Sequence, residues 1–88
     1  MATYLLTYDL VGRNENDYPP LLKALKADSA VRILLSTWLI ATTEPIGTLL
    51  RRYMNHIDTN DRLFASRVDD WAYYNIMNEA AAKRLLPA

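Results

Sequence analysis

The chain has no cysteine, two glycines, four prolines and one histidine in 88 residues. Without cysteine there is no disulfide and no thiolate metal site, and a reducing cytoplasm is the expected compartment. Two glycines leave no material for a glycine-rich phosphate loop. A single histidine excludes the usual zinc-ligand spacings. No apolar run approaches the length of a membrane span, so no membrane partner is expected. Ten basic and ten acidic side chains cancel, and the basic excess of a non-specific polyanion binder is missing. A local basic patch stays open, because seven of the ten cations are arginine, suited to forked contacts with phosphate or carboxylate.

Hydrophobic residues are plentiful, at 51 %. That is too many for a disordered chain, and the length fits one domain with a modest core. Small domains with exposed strand edges tend to pair, so self-association is a reasonable expectation.

Residues 2–10 alternate with period two. Tyr4, Leu6, Tyr8 and Leu10 share one face; Thr3, Leu5, Thr7 and Asp9 share the other. This predicts a strand. Gly12 to Asn16 reads as a polar loop. In DYPPLLKALKA, Asp17 can cap a helix whose first turn tolerates Pro19 and Pro20. Tyr18, Leu21, Leu22 and Leu25 give that helix one apolar face. The stretch VRILLSTWLIATT is long for one strand. It predicts two, Val31 to Leu35 and Thr37 to Thr42, broken near Ser36, with one long bent strand as the competing reading. Thr43, Glu44 and Pro45 open a second helix carrying Ile46, Leu49, Leu50, Tyr53, Met54 and Ile57 at helical spacing. Asp61 to Val68 predicts another strand.

Strand, helix, strand, strand, helix, strand is the split βαβ order. The expected fold is therefore α+β, ferredoxin-like βαββαβ, over residues 1–68. An antiparallel sheet would carry two helices on one face and leave the other open unless a partner covers it. Residues 69–88 form a C-terminal strand and helix extension. Trp71-Ala72-Tyr73-Tyr74 is too apolar to sit idle in water. It can be an extra edge strand or an arm packed on a second copy. Asn75 is placed to cap a final helix, IMNEAAAKRLL, closed by Pro87. The tail either packs on its own domain or docks across a dimer, and the dimer role is the expectation.

The strand ending Tyr8-Asp9-Leu10 resembles the first-strand end of the small CRISPR-associated endonuclease family, the smaller subunit of the spacer-integration machinery. Leu35-Ser36-Thr37-Trp38-Leu39 falls where that family has a serine followed by an apolar strand. The second helix leading into Ile57-Asp58-Thr59-Asn60-Asp61-Arg62-Leu63-Phe64 is similar to its second helix and fourth strand. The virulence-associated protein D toxins share the fold and a similar strand-end aspartate. The resemblance covers residues 2–68 in element order and spacing. It implies a ferredoxin-like homodimer in which two first-strand aspartates approach each other. Some members cut RNA or DNA with a divalent metal ion, and others are scaffolds. The apolar Trp38-Leu39-Ile40 and the neutral charge depart from the CRISPR members and point to a stand-alone relative.

Asp9 is the candidate catalytic residue and metal ligand. Magnesium or manganese wants oxygen donors, and a two-fold axis would duplicate the single strand-end carboxylate. The alternative is structural: aspartate is common where a strand turns into a loop. Arg13, Ser36, Arg51 and Arg52 are the candidate nucleic-acid contacts, with a solvated helix face as the bland reading of Arg51 and Arg52. Trp38 reads as a core or interface anchor. His56 reads as a solvated helix-end residue, although a general base is chemically possible. Three functions follow: a metal-dependent RNA- or DNA-cutting homodimer, a non-catalytic dimeric module that binds nucleic acid or a protein partner, or a toxin-like relative neutralised by a partner protein.

Overall fold

The computed structural model describes residues 1–12 and 18–88. The element order is β1 (Ala2–Asp9), α1 (Pro19–Ala27), β2 (Val31–Leu34), β3 (Thr37–Thr42), α2 (Ile46–Met54), β4 (Arg62–Arg67) and α3 (Glu79–Leu85). The four strands make one sheet in the order β2-β3-β1-β4, and every neighbouring pair is antiparallel. Each strand–helix–strand connection thus skips one strand, which places β1 and β3 at the centre.

Alternation on β1 sorts the molecule into layers. Tyr4, Leu6 and Tyr8 are buried on one face with Trp38 and Ile40 of β3, Leu21 and Leu25 of α1, and Leu49 and Tyr53 of α2. The register explains the match: Leu6 lies opposite Trp38 on β3 and Ala65 on β4. Cross-strand partners point to the same side of a pleated sheet. Trp38 is the expected anchor, buried with its indole Nε1 donating to Tyr8 Oη at 3.1 Å.

The break at Ser36 is a two-residue turn, with β2 ending one residue earlier than expected, at Leu34. Neither turn residue has positive φ. A register shift between Arg32 and Leu34 takes the place of the Asn-Gly turn that hairpins usually use. In α1, Pro19 and Pro20 hold the first two positions, and no side chain caps the helix at Tyr18. The expected cap Asp17 lies outside the described residues, as does Arg13. In α2 the capping position is Pro45, not Thr43. The hydroxyl that receives the Glu44 N–H belongs to Thr42, at 3.2 Å.

The tail corrects the expectation most. Residues 71–74 form no strand, and α3 begins at Glu79 with Asn78, not Asn75, at the capping position. The segment lies over the sheet face opposite α1 and α2. Met77 N–H donates to Ile33 O at 2.9 Å and Asn78 Nδ2 donates to Arg32 O at 2.9 Å, both on edge strand β2. The Thr3 hydroxyl donates to Leu85 O, and Trp71 Nε1 donates to Pro87 O at 2.8 Å. These bonds draw residues 77 and 78 to the sheet edge and delay the helix. They also occupy carbonyls of an edge that would otherwise invite pairing. Among the described residues, no helix is long and apolar enough to cross a membrane.

Candidate functional site

The tail covers only half of its face. Thr3, Leu5 and Leu39 lie under it, while the far end of β1 stays uncovered. There Asp9 pairs across the sheet with Arg62, and Thr7 pairs with Thr37 on one side and Phe64 on the other. The result is a strip of Thr7, Asp9, Arg62 and Phe64 on one surface.

Asp61 ties the chain together just beyond the strip. Its Oδ1 accepts Val11 N–H at 2.8 Å and its Oδ2 accepts Asp58 N–H at 2.8 Å. This joins the exit of β1 to the loop that enters β4. Asp61, rather than Asp9, therefore performs the backbone-capping role expected of a strand-end aspartate. Arg62 Nη1 donates to Asp9 Oδ2 at 3.0 Å, with side-chain exposures of 74 % and 65 %. An ion pair this exposed contributes little stability. Phe64 is 62 % exposed in the middle of β4. Beside it, the Thr37 hydroxyl donates to Thr7 Oγ1 at 3.1 Å.

Ser36 lies at the same end of the sheet. Its carbonyl accepts Tyr8 N–H at 3.1 Å, so the turn braces β1 beside Asp9. Arg51 and Arg52 do not join this end: they belong to α2, in the layer on the opposite side of the sheet. Arg51 is exposed there.

Arg52 has a different occupation. Its Nε and Nη2 fork onto the Glu44 carboxylate at 3.1 and 2.6 Å. Its Nη1 meets Asp28 Oδ2 at 2.8 Å. Asp28 ends α1 and also accepts the Tyr53 hydroxyl. The hydrogen bond to Glu44 pushes the Arg52 pKa up, and the same bond holds the Glu44 carboxyl below its ordinary value. Burial, then the hydrogen bond to Asp28, pushes the Tyr53 hydroxyl up. This cluster staples α1, α2 and the β3–α2 loop together. His56 sits at the end of α2, half-buried, with its ring edge-on to Tyr53 at 6.4 Å.

A magnesium or manganese site needs several oxygen donors. Among the described residues, one copy brings a single carboxylate, Asp9, to the strip, where it faces the Arg62 cation. Among the described residues no group of three or more His, Cys, Asp or Glu side chains is placed to hold a metal ion. The site that the sequence resemblance implies would take one Asp9 carboxylate from each of two copies, and a single copy presents one of them at the strip. Sequence reasoning missed Arg62 and Phe64 as neighbours of Asp9. The available signal was the alternation of β4 itself, which puts Arg62, Phe64 and Ser66 on one face.

Comparison with known protein families, curated proteins and solved structures finds no match to this chain.

Proposed function

We propose that the chain is a non-catalytic, self-associating module with a ferredoxin-like fold, a stand-alone relative of the small CRISPR-associated endonucleases. Its contact surface is the strip Thr7, Asp9, Arg62 and Phe64. The observation that carries this reading is Phe64, 62 % exposed on a sheet face beside an exposed ion pair. An aromatic ring at the centre of a polar-rimmed surface is the usual anchor of a protein contact. A carboxylate and a guanidinium side by side make the strip self-complementary under a two-fold axis: each charge of one copy meets its opposite on the other. A protein partner of the same chemistry fits better than nucleic acid, given zero net charge and arginines divided between two layers.

Sedimentation over a concentration series tests the proposal. The wild-type chain is expected to pass from monomer to dimer. Phe64→Ser is expected to weaken that equilibrium by about tenfold or more, as for a buried interface anchor, with an unchanged melting temperature at dilutions where both chains are monomeric. A wild-type chain that stays monomeric at every concentration removes the reading.

The second reading is a magnesium-dependent nuclease, favoured by one observation: Asp9 is on the uncovered half of the face, where a second copy would duplicate its carboxylate. RNA and duplex DNA incubated with magnesium or manganese, beside Asp9→Ala, separate the two readings. The expected outcome is no cleavage by either protein. Cleavage lost in Asp9→Ala would establish the catalytic reading instead.

A further inference from the structure

We propose that residues 69–88 are a strap that opens independently of the βαββαβ unit and so gates the sheet face it covers. Three observations on separate parts of the tail agree.

Its backbone is strained. Asn75 and Asn78 hold φ of 56° and 54°, a left-handed conformation that costs L-residues energy. Its packing is incomplete. A cavity of about 100 Å³ lies between strap and sheet, lined by Leu5, Leu39, Val68, Trp71, Tyr73 and Leu86. Atoms facing a void lose their dispersion contacts. Its docked position also leaves apolar groups in water: Tyr74 is 92 % exposed, and Trp71 and Met77 are 40 % exposed. The unit beneath is filled at its centre, where Leu6, Leu21, Leu25, Leu49 and Tyr53 have no exposure, and its left-handed Ser29 lies at the end of α1, away from that centre.

A segment with few buried contacts and local strain opens before the core does. The strap begins at the acidic pair Asp69-Asp70, just beyond Val68, whose N–H donates to Thr3 O at 2.9 Å, so the hinge lies outside the strand ladder. Its departure bares Leu5, Ile33 and Leu39 beside Thr7 and Phe64 and extends the apolar surface of the uncovered strip. Resting on the self-association proposed above, the strap limits contact between two copies when docked, and the open form is the one that a second copy captures.

Amide hydrogen exchange on the full-length chain tests this. Met77 N–H, bonded to Ile33 O, reports the strap, and Leu6 N–H on the central strand reports the core. In dilute protein, Met77 is expected to exchange at least a hundredfold faster than Leu6. Asn75→Ala, which deepens the left-handed strain, is expected to speed Met77 about fivefold further and leave Leu6 unchanged. Asn75→Gly, which relieves it, is expected to slow Met77. Equal protection of both amides, or equal response of both to Asn75→Ala, overturns the strap as a separate unit. Raising the protein concentration is expected to speed Met77 exchange, and Phe64→Ser is expected to remove that dependence. Met77 exchange that ignores concentration in a chain that does dimerise overturns the gating. A monomeric chain whose Met77 still exchanges fast overturns the self-association and leaves the strap standing.

Discussion

Replacing Leu6 with alanine is expected to destabilise the protein by about 3 kcal/mol, the usual range for emptying a filled core site being ~2–5. Leu6 has no exposure. It sits on β1 between Trp38 and Ala65, and under the helix residues Leu21, Leu25 and Leu49. Neighbours on both adjacent strands are pinned by ladder hydrogen bonds, so the void cannot close by collapse. A domain of this size has only ~5–10 kcal/mol to lose. Thermal unfolding is therefore expected to move down by roughly 12–20 °C. Leu5→Ala is the control. Leu5 faces the strap and already borders a cavity, so its truncation is expected to cost only about 1 kcal/mol. Similar costs for the two substitutions would mean that the two faces are packed alike, against the layered description.

Replacing Arg52 with methionine is expected to cost about 2 kcal/mol, the scale of losing charge-assisted hydrogen bonds at a partly exposed site. The volume is kept and the fork is removed. Glu44 loses both of its guanidinium bonds, and Asp28 keeps only the Tyr53 hydroxyl. The same substitution is expected to change the acid limb of the stability curve. In the wild-type chain the Arg52 hydrogen bond holds the Glu44 carboxyl below its ordinary 4.5. A carboxylate whose folded pKa lies below its unfolded pKa contributes stability that is fully present above the unfolded value. That contribution is lost as pH falls through the folded one. Wild-type stability is thus expected to drop as pH falls below about 4.5, and Arg52→Met is expected to drop less steeply there. Urea titrations at several pH values measure both effects. Parallel acid limbs would show that Glu44 gains nothing from Arg52.

Much of the architecture was legible in the residue pattern. Period two on residues 2–10 put Tyr4, Leu6 and Tyr8 on one face and Asp9 on the other, because a pleated strand has only two faces. Helical spacing assigned Leu21, Leu25, Leu49 and Tyr53 to the core. The split of VRILLSTWLIATT at Ser36 followed from length alone. The strand and the Asn75 cap expected in the tail did not form, because Trp71, Tyr73, Ile76 and Leu86 announce a need for cover through no period that names a partner. Within one copy the tail reaches the chain's own sheet through bonds to Ile33 and Arg32, more than forty residues away.

The site divides in the same way. The sequence by itself determined that a lone carboxylate, Asp9, would end the first strand on the face opposite Tyr4, Leu6 and Tyr8, since alternation is a local property of the backbone. Only the tertiary structure decided what that carboxylate meets. Arg62 is 53 residues away and reaches Asp9 through the antiparallel register of β1 and β4. Arg52, on the polar side of its helix by spacing, was drawn inward to Glu44 and Asp28 by the packing of α1 against α2. Charge pairing is decided by distance in space, and a sequence specifies those distances only through the fold.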